Sequence, residues 1–373
     1  MADTEEPARP APDLTVVVPT YNERQNVPEL IRRLDATLAG HAWEVVFVDD
    51  DSPDETAQLV RELSTQDYRV RGIQRIGRRG LATACIEGML SSSAPFLAVI
   101  DGDLQHDEAL LPRMLDLLRG GDTDIVVGSR YVQGGGIGDW DESRARISRV
   151  ATRLSRAVMK QELTDPMSGF FMVRADVFRN CVRDLSGVGF KIMLDLFASS
   201  SEPLRYAELP YEFRTRDAGE SKLDNQAAWE YGMLLLDKLI GHIVPVRFVA
   251  FTLVGSVGVI VHLITQAILF KGMQLEFVTS QAAATLVAMT FNFALNNVLT
   301  YRDMQLRGWQ WLRGWLSFSL ACSVGAIANV GIASYIFTLD AQWVLAAIAG
   351  ILVGAVWNYA VTMVYTWKKP KTA

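Results

Sequence analysis

Two carboxylates one residue apart, Asp101 and Asp103, directly follow the apolar run 94–100. Side chains alternate along a strand, so a strand ending in this pair is expected to aim both carboxylates at one point. Hard oxygen ligands at a strand's carboxyl end suit Mg²⁺ or Mn²⁺, and such an ion commonly carries a phosphate-bearing substrate. Asp-x-Asp alone is a short motif, and most such pairs are solvated turn carboxylates. This pair has company: Tyr21 and Glu23 follow the run 14–19, and Asp49, Asp50 and Asp51 follow the run 43–48.

The elements that must position these groups read as alternating strands and helices. Runs 14–19, 43–48, 70–74, 96–100 and 124–127 are short, apolar and rich in β-branched residues. Helical spacing fills 26–38, 54–63 and 80–90 between them. Continuous apolar strands alternating with amphipathic helices predict an α/β domain with a mostly parallel sheet covered on both faces. Ligands in such sheets bind outside the carboxyl ends of the strands, so the three acidic clusters are expected to form one site. No Gly-x-Gly-x-x-Gly or Walker loop is present, which removes support from the usual dinucleotide and NTPase readings.

The 373 residues are enough for two domains, and charge divides them. Residues 1–13 are a polar, proline-rich leader without the apolar segment of a signal peptide, and are expected to be disordered. The mixed domain spans 14–225, an amphipathic juxtamembrane helix 226–246, an almost uncharged region 247–367, and a tail 368–373. A net charge of −6 argues against a nucleic-acid partner. Three scattered cysteines and four histidines show no metal spacing, and the cysteines fit a reducing compartment.

Four apolar stretches, 248–270, 278–300, 315–339 and 343–367, are each long enough to cross a bilayer as a helix. Arg302, Arg307 and Arg313 lie between the second and third, and Lys368, Lys369 and Lys371 follow the fourth, whereas Lys271 stands alone between the first two. The positive-inside rule then predicts a multi-pass integral membrane protein with its mixed domain and C-terminus in the cytosol. His262, Gln266, Asn292, Asn296, Asn297, Asn329 and Asn358 are polar positions within the spans, read either as interhelical hydrogen bonding or as a polar path. Residues 144–160 carry six basic and no acidic residues, with Ile147, Val150, Leu154 and Val158 at helical spacing, the pattern of a helix lying on anionic headgroups.

Seven ordered motifs resemble a known family. They are Pro19-Thr20-Tyr21-Asn22-Glu23, Val48 to Asp54, Asp101-Gly102-Asp103-Leu104-Gln105-His106, Gly128-Ser129-Arg130-Tyr131, Asp165 to Phe171, Gly189-Phe190-Lys191, and Arg216 through Lys222. Together they resemble the polyprenol-phosphate (dolichol-phosphate) mannose synthases, inverting family 2 glycosyltransferases of GT-A fold, over about residues 14–225. The first span, with Asn292 to Asn296 ahead of Thr300-Tyr301, resembles a GtrA-like membrane domain of four helices. The resemblance implies that Pro19, Tyr21, Glu23, Val48 and Asp50 line the donor's nucleoside pocket. It implies that Asp101, Asp103 and Gln105 hold the Mg²⁺ or Mn²⁺ that bridges the donor diphosphate, with the Gly102 backbone close by. Arg130, Arg144, Ser148 and Arg216 would gather the acceptor phosphate and the diphosphate, and Lys191 and Lys222 would add positive charge. Gly102 and Asp107 depart from the family, where alanine and proline are common.

The implied reaction is transfer of mannose from GDP-mannose to a polyprenyl (dolichyl) monophosphate at the cytosolic face. Its nucleophile, with a second pKa near 6, is largely dianionic at neutral pH, so no dedicated base is required. Asp195 is expected on a helix, paired with a neighbour. A UDP-glucose-dependent polyprenyl-phosphate transferase uses the same scaffold and stays open, as does a flippase role for the membrane domain. A processive polysaccharide synthase has weaker support, because its Gln-x-x-Arg-Trp signature is only approximated by Gln310 to Trp315. Oligomeric state and acceptor chain length are left open.

Overall fold

The computed structural model describes residues 11–136, 153, 155, 158–159, 161–187, 189, 191–214, 225–241, 244–338 and 343–367. Arg144, Ser148, Arg216, Lys222 and most of the basic segment 144–160 lie outside the described residues, as do most of the leader and the tail. The chain divides into two compact units, residues 1–239 and 240–373.

The first unit is built on seven strands: β1 (Leu14–Thr20), β2 (Trp43–Asp49), β3 (Val70–Gln74), β4 (Phe96–Val99), β5 (Ile125–Ser129), β6 (Phe171–Arg174) and β7 (Tyr206–Pro210). Their order is β3-β2-β1-β4-β6-β5-β7. All pairings are parallel except those of β6, which runs antiparallel to both β4 and β5. The five expected strands are present with ends shifted by no more than two residues; β6 is inserted between β4 and β5, and β7 adds an edge strand beside β5.

Alternation along β1 shows why the sheet is covered twice. Leu14, Val16 and Val18 point into one core with Leu30 and Leu34 of α1 (Val27–Thr37) and Leu111, Met114, Leu115 and Leu118 of α4 (Leu111–Arg119). Val17 points into the other, with Cys85 and Met89 of α3 (Leu81–Leu90), Phe178 of α5 (Ala175–Cys181) and Phe197 of α6 (Ile192–Ser199). Helix α2 (Thr56–Ser64) adds Val60 to the first core. Close approach of α3 to the sheet requires Gly88, where a Cβ would meet Val48 at 2.9 Å and Val17 more tightly still.

Helix α7 (Asn225–Ile240), the amphipathic stretch expected beside the membrane, is seated on this unit. Tyr231, Leu234 and Leu235 bury against Met167 and Leu194. Lys238 Nζ lies 2.6 Å from the Asp195 carboxylate, which is buried, the lysine side chain being 11% exposed.

Among the described residues, the second unit carries four long helices, α8 (Val246–Ala267), α9 (Phe277–Val298), α10 (Trp309–Thr338) and α11 (Trp343–Tyr365). Val246–Gly272 and Phe277–Val298 are long and apolar enough to cross a membrane. The unit is a hairpin repeated. Phe251-Thr-Leu-Val-Gly-Ser-Val-Gly258 recurs as Phe318-Ser-Leu-Ala-Cys-Ser-Val-Gly325, and Phe291-Asn-Phe-Ala294 with Thr300-Tyr301 recurs as Trp357-Asn-Tyr-Ala360 with Thr366-Trp367. The contacts repeat with the sequence. Phe251 lies 5.8 Å from Tyr359, and its counterpart Phe318 lies 5.6 Å from Phe293. A Cβ on Gly258 would collide with the Asn292 carboxamide, and one on Gly325 with that of Asn358. Across the pseudo-two-fold axis Tyr301 and Trp367 stack at 4.1 Å and 6°. The Asn297 carboxamide then accepts from Leu306 N–H (2.9 Å) and Trp367 Nε1–H (3.1 Å) and donates to Leu306 O (3.1 Å). Asn296 donates to Asn292 O and accepts from the Thr300 hydroxyl. These asparagines act as hydrogen-bonding glue, a role usually worth under about 2 kcal/mol each.

Candidate active site

The carboxyl ends of β2, β1 and β4 lie side by side, and short polar contacts tie them together. Asp49 accepts from Ser52 N–H (2.9 Å) and from the Thr20 hydroxyl (3.3 Å), and Ser52 Oγ accepts from Asn22 N–H (2.9 Å). Glu23 accepts from Asn26 Nδ2 at 2.6 Å, while its own N–H donates to Thr56. Asn22, Asp51, Glu55 and Leu104 all have φ between 58° and 65°, a left-handed conformation uncommon away from glycine. Such conformations cluster where the chain must present groups in a fixed way.

The residues expected at the nucleoside end differ in exposure. Pro19, Tyr21 and Glu23 are half-buried at the β1 end. The Arg79 guanidinium lies over the Tyr21 ring, 4.7 Å from its centroid. Val48 needs correction: it is fully buried (0% exposed) under α3, because the final alternation of β2 turns its side chain into the core. Asp50 is occupied by the protein itself. It accepts from Arg75 Nη1 and from Gly80 N–H, each at 2.7 Å. Burial raises its pKa, opposed by the Gly80 hydrogen bond and the Arg75 charge. Arg75 is itself 2% exposed and also donates to Gly80 O and Thr83 Oγ1, so it fastens the loop carrying Arg79. Neither Arg75 nor Arg79 was signalled by spacing, since both sit in a loop without a motif.

The aspartate pair does not continue strand alternation, because β4 ends at Val99 and residues 101–105 form a turn. Asp103 is nearly buried, and its Oδ1 accepts from Gln105 N–H at 3.2 Å. Asp101 leaves 34% of its side chain exposed, and its Oδ2 lies 3.0 Å from Nε2 of the buried His106. Gly169 gives that carboxylate room, since a Cβ there would lie 3.1 Å from Asp101 Oδ2. Gly102 packs against the β1 end, where an added Cβ would sit 3.3 Å from Thr20 and 3.5 Å from Glu23. Alanine at this position would thus fit with a few tenths of an ångström of give.

Gln105 faces the chain as it enters the undescribed stretch 215–224. Gln105 Nε2 donates to Arg214 O (3.0 Å) and Arg214 N–H donates to Gln105 O (2.9 Å). Arg214 also pairs with Asp107 (2.6 Å) and Glu108 (2.8 Å), so Asp107 helps to anchor this crossing. Arg216 lies two residues beyond this anchorage.

On the neighbouring side, Arg130 and Asp165 form a buried bidentate pair, with Nε to Oδ2 at 2.7 Å and Nη2 to Oδ1 at 2.8 Å. Burial opposes the Arg130 charge, but the Asp165 hydrogen bonds and charge outweigh it and hold its pKa above the usual arginine value. Arg130 is therefore first of all an ion-pair partner. Lys191 donates to Met167 O at 2.6 Å. Burial, then the Arg130 charge, pushes its pKa down to about 8 against the pull of Asp101 and Asp165. Asp195 is closed off as a base: it is 1% exposed and engaged by Lys238, Ser186 and Ser199.

Among the described residues no three His, Cys, Asp or Glu side chains form a metal cage. Two carboxylates with one partly open flank fit an ion of another habit. Mg²⁺ keeps several waters and is held by one or two carboxylates together with substrate phosphates.

Residues 15–182 match the glycosyl transferase family 2 model, and residues 250–367 match the GtrA/DPMS transmembrane domain. A dolichol-phosphate mannosyltransferase from Pyrococcus furiosus is 33% identical over 360 residues, 95% of this chain and 99% of that protein. The enzyme of the same name from Saccharomyces cerevisiae is 36% identical over 228 residues, 59% of this chain and 84% of its own length. A solved structure of Mycobacterium tuberculosis glucosyl-3-phosphoglycerate synthase aligns over 62% of this chain and 79% of its own, with a TM-score of 0.43 and 17% identity. With a mostly parallel mixed sheet of GT-A type, an aspartate turn at its carboxyl edge and a GtrA-like membrane region, the chain belongs to the dolichol-phosphate mannosyltransferases of glycosyl transferase family 2.

Proposed function

We propose that the protein transfers mannose, with inversion, from GDP-mannose to a polyprenyl monophosphate at the cytosolic face of the membrane, the helices of its second unit crossing the bilayer. The observation that carries this reading is the near full-length match to a dolichol-phosphate mannosyltransferase, together with a cationic side chain, Lys191, held near the half-open Asp101. Asp101, Asp103 and Gln105 hold Mg²⁺ or Mn²⁺, and the ion, when bound, neutralises charge on the departing diphosphate. Pro19, Tyr21 and Glu23 border the nucleoside, with Arg79 stacked on Tyr21. Arg130, Arg144, Ser148 and Arg216 gather the acceptor phosphate and the diphosphate, and Lys191 and Lys222 add positive charge there; Arg144, Ser148, Arg216 and Lys222 belong to segments outside the described residues.

In the reaction an oxygen of the acceptor phosphate attacks the anomeric carbon and GDP departs with the electrons of its glycosidic bond. A dianionic phosphate needs no base to surrender a proton. The residues contribute by holding two anionic groups close and by stabilising the leaving charge, terms that reach several kcal/mol in a preorganised site. The test is incubation of the purified full chain with polyprenyl phosphate, Mg²⁺ or Mn²⁺, and either GDP-mannose or UDP-glucose. Product from GDP-mannose alone is expected, and product from UDP-glucose alone overturns the donor assignment. Asp103→Ala is expected to abolish turnover in a folded protein, and full turnover in that variant removes the metal assignment.

A further inference from the structure

His106 is buried, 3% exposed, in a box of aromatic rings, with Phe170 at 5.4 Å, Tyr211 at 5.6 Å and Phe213 at 5.5 Å between centroids. Both of its nitrogens are engaged. Nδ1 lies 2.8 Å from the Tyr211 hydroxyl, and Nε2 lies 3.0 Å from Asp101 Oδ2. An ionised carboxylate only accepts, so Nε2 carries the proton toward Asp101. A neutral imidazole then presents Nδ1 as an acceptor, and the Tyr211 hydroxyl donates to it. The three side chains form a directed relay, Tyr211 to His106 to Asp101, reaching from the interior to the half-exposed carboxylate.

We propose that His106 is the positioning residue for Asp101: by binding Oδ2 from the buried side, it fixes the carboxylate so that its open flank receives the divalent ion. Tyr211 fixes His106 in turn by selecting its tautomer. Groups that hold a metal ligand from behind in this way are common, and removing one typically weakens metal binding about 10- to 100-fold. A purely structural histidine would need the rings around it but not the bond to Asp101. The relay crosses from residue 106 to residue 211, so no local spacing announces it. The inference rests on Asp101 being a metal ligand.

The experiment measures Mn²⁺ binding to the detergent-solubilised full chain by electron paramagnetic resonance, with Mn²⁺ as the probe and the melting temperature recorded for each variant. His106→Phe keeps the aromatic fill and deletes the bond to Asp101. It is expected to weaken Mn²⁺ binding about 10- to 100-fold. His106→Gln, whose amide N–H can take the place of Nε2–H, is expected to restore most of that loss, although it packs the aromatic box less well. Tyr211→Phe removes one hydroxyl and is expected to weaken binding several-fold, which keeps the test alive if His106→Phe does not fold. Wild-type affinity in His106→Phe, or in Tyr211→Phe where the former is unfolded, overturns the proposal. Equal loss in the Phe and Gln variants overturns it as well, because the role would then be packing. Asp101→Asn separates the two levels of inference. If it loses Mn²⁺ while His106→Phe does not, only the positioning role fails; if it binds as wild type, the metal reading and this inference fail together.

Discussion

Replacing Asp165 with asparagine preserves shape and removes one charge from the Arg130 pair. Asp165 is completely buried, the Arg130 side chain is 8% exposed, and the carboxylate accepts from Arg130 Nε, Nη2 and the backbone N–H. An asparagine can satisfy one arm of the guanidinium fork but turns an amide N–H toward the other, leaving the Arg130 charge without its counter-ion. Breaking a buried pair from one side costs about 3–5 kcal/mol. For a unit of this size each kcal/mol moves the melting temperature by about 2–4 °C, so Asp165→Asn is expected to melt about 6–20 °C below wild type. Calorimetry of the full chain, following the transition of residues 1–239, reads this directly. Joint replacement by Arg130→Met and Asp165→Leu removes both charges and is expected to recover much of the loss, since apolar substitutes for buried pairs are often neutral or better. A melting temperature for Asp165→Asn within about 2 °C of wild type would refute the argument, because that shift corresponds to less than about 1 kcal/mol. The Arg130–Asp165 pair would then contribute little to the stability of the fold.

Four further outcomes follow from the geometry and charges of the site and the hairpins. The Lys191 pKa is depressed to about 8 from 10.5, so its charge is present below pH 8 and is lost as pH rises through that value; donor KM should climb above about pH 8, and Lys191→Arg, always charged, should flatten that limb. Over the same interval the unfolded chain binds the extra proton, so Lys191 makes stability rise with pH between about 8 and 10.5, and a fall in denaturant midpoint there would contradict the shift. Arg75→Met leaves Asp50 buried with one remaining N–H partner and should lower stability by about 3–5 kcal/mol while raising donor KM more than it lowers kcat, read from urea melts and steady-state kinetics. Gly258→Ala and Gly325→Ala should each cost about 1–3 kcal/mol by overpacking against Asn292 and Asn358, and a large difference between the two thermal shifts would count against the repeated hairpin.

Much of the first unit was legible because its strands are uninterrupted apolar runs whose carboxyl ends carry the unusual residues. The strands that escaped have physical reasons. β7 (Tyr206–Pro210) places Glu208 at its centre, where the carboxylate binds Thr164 and Asp165 N–H, so it never reads as an apolar run. β6 (Phe171–Arg174) has four residues and runs against its neighbours, breaking the strand–helix alternation on which the reading depended. Within the site, residue types were readable and burial was not. Val48 and Asp50 share a motif with Asp49, yet one is core and the other is paired to Arg75. His106 was passed over because histidine ligands were sought by local spacing, whereas its partners come from positions 101 and 211. Uniform hydrophobicity masks the repeated hairpin in the sequence, whereas the matching contacts of Phe251 and Phe318 display it.

That repetition also records how such a unit can arise. A lone hairpin able to seat an asparagine on a facing glycine and to lay an aromatic ring across a two-fold axis would pair with a second copy of itself, and gene duplication with fusion would join the copies in one chain. Fusion creates one new requirement, a joint. Asn297 meets it, gripping Leu306 in the connection between the hairpins and Trp367 at the far end of the second. The matching position in the second hairpin is Met363, 42% exposed, whose thioether cannot repeat these donated and accepted bonds. The symmetry therefore fails at Asn297, which marks the seam between the two hairpins.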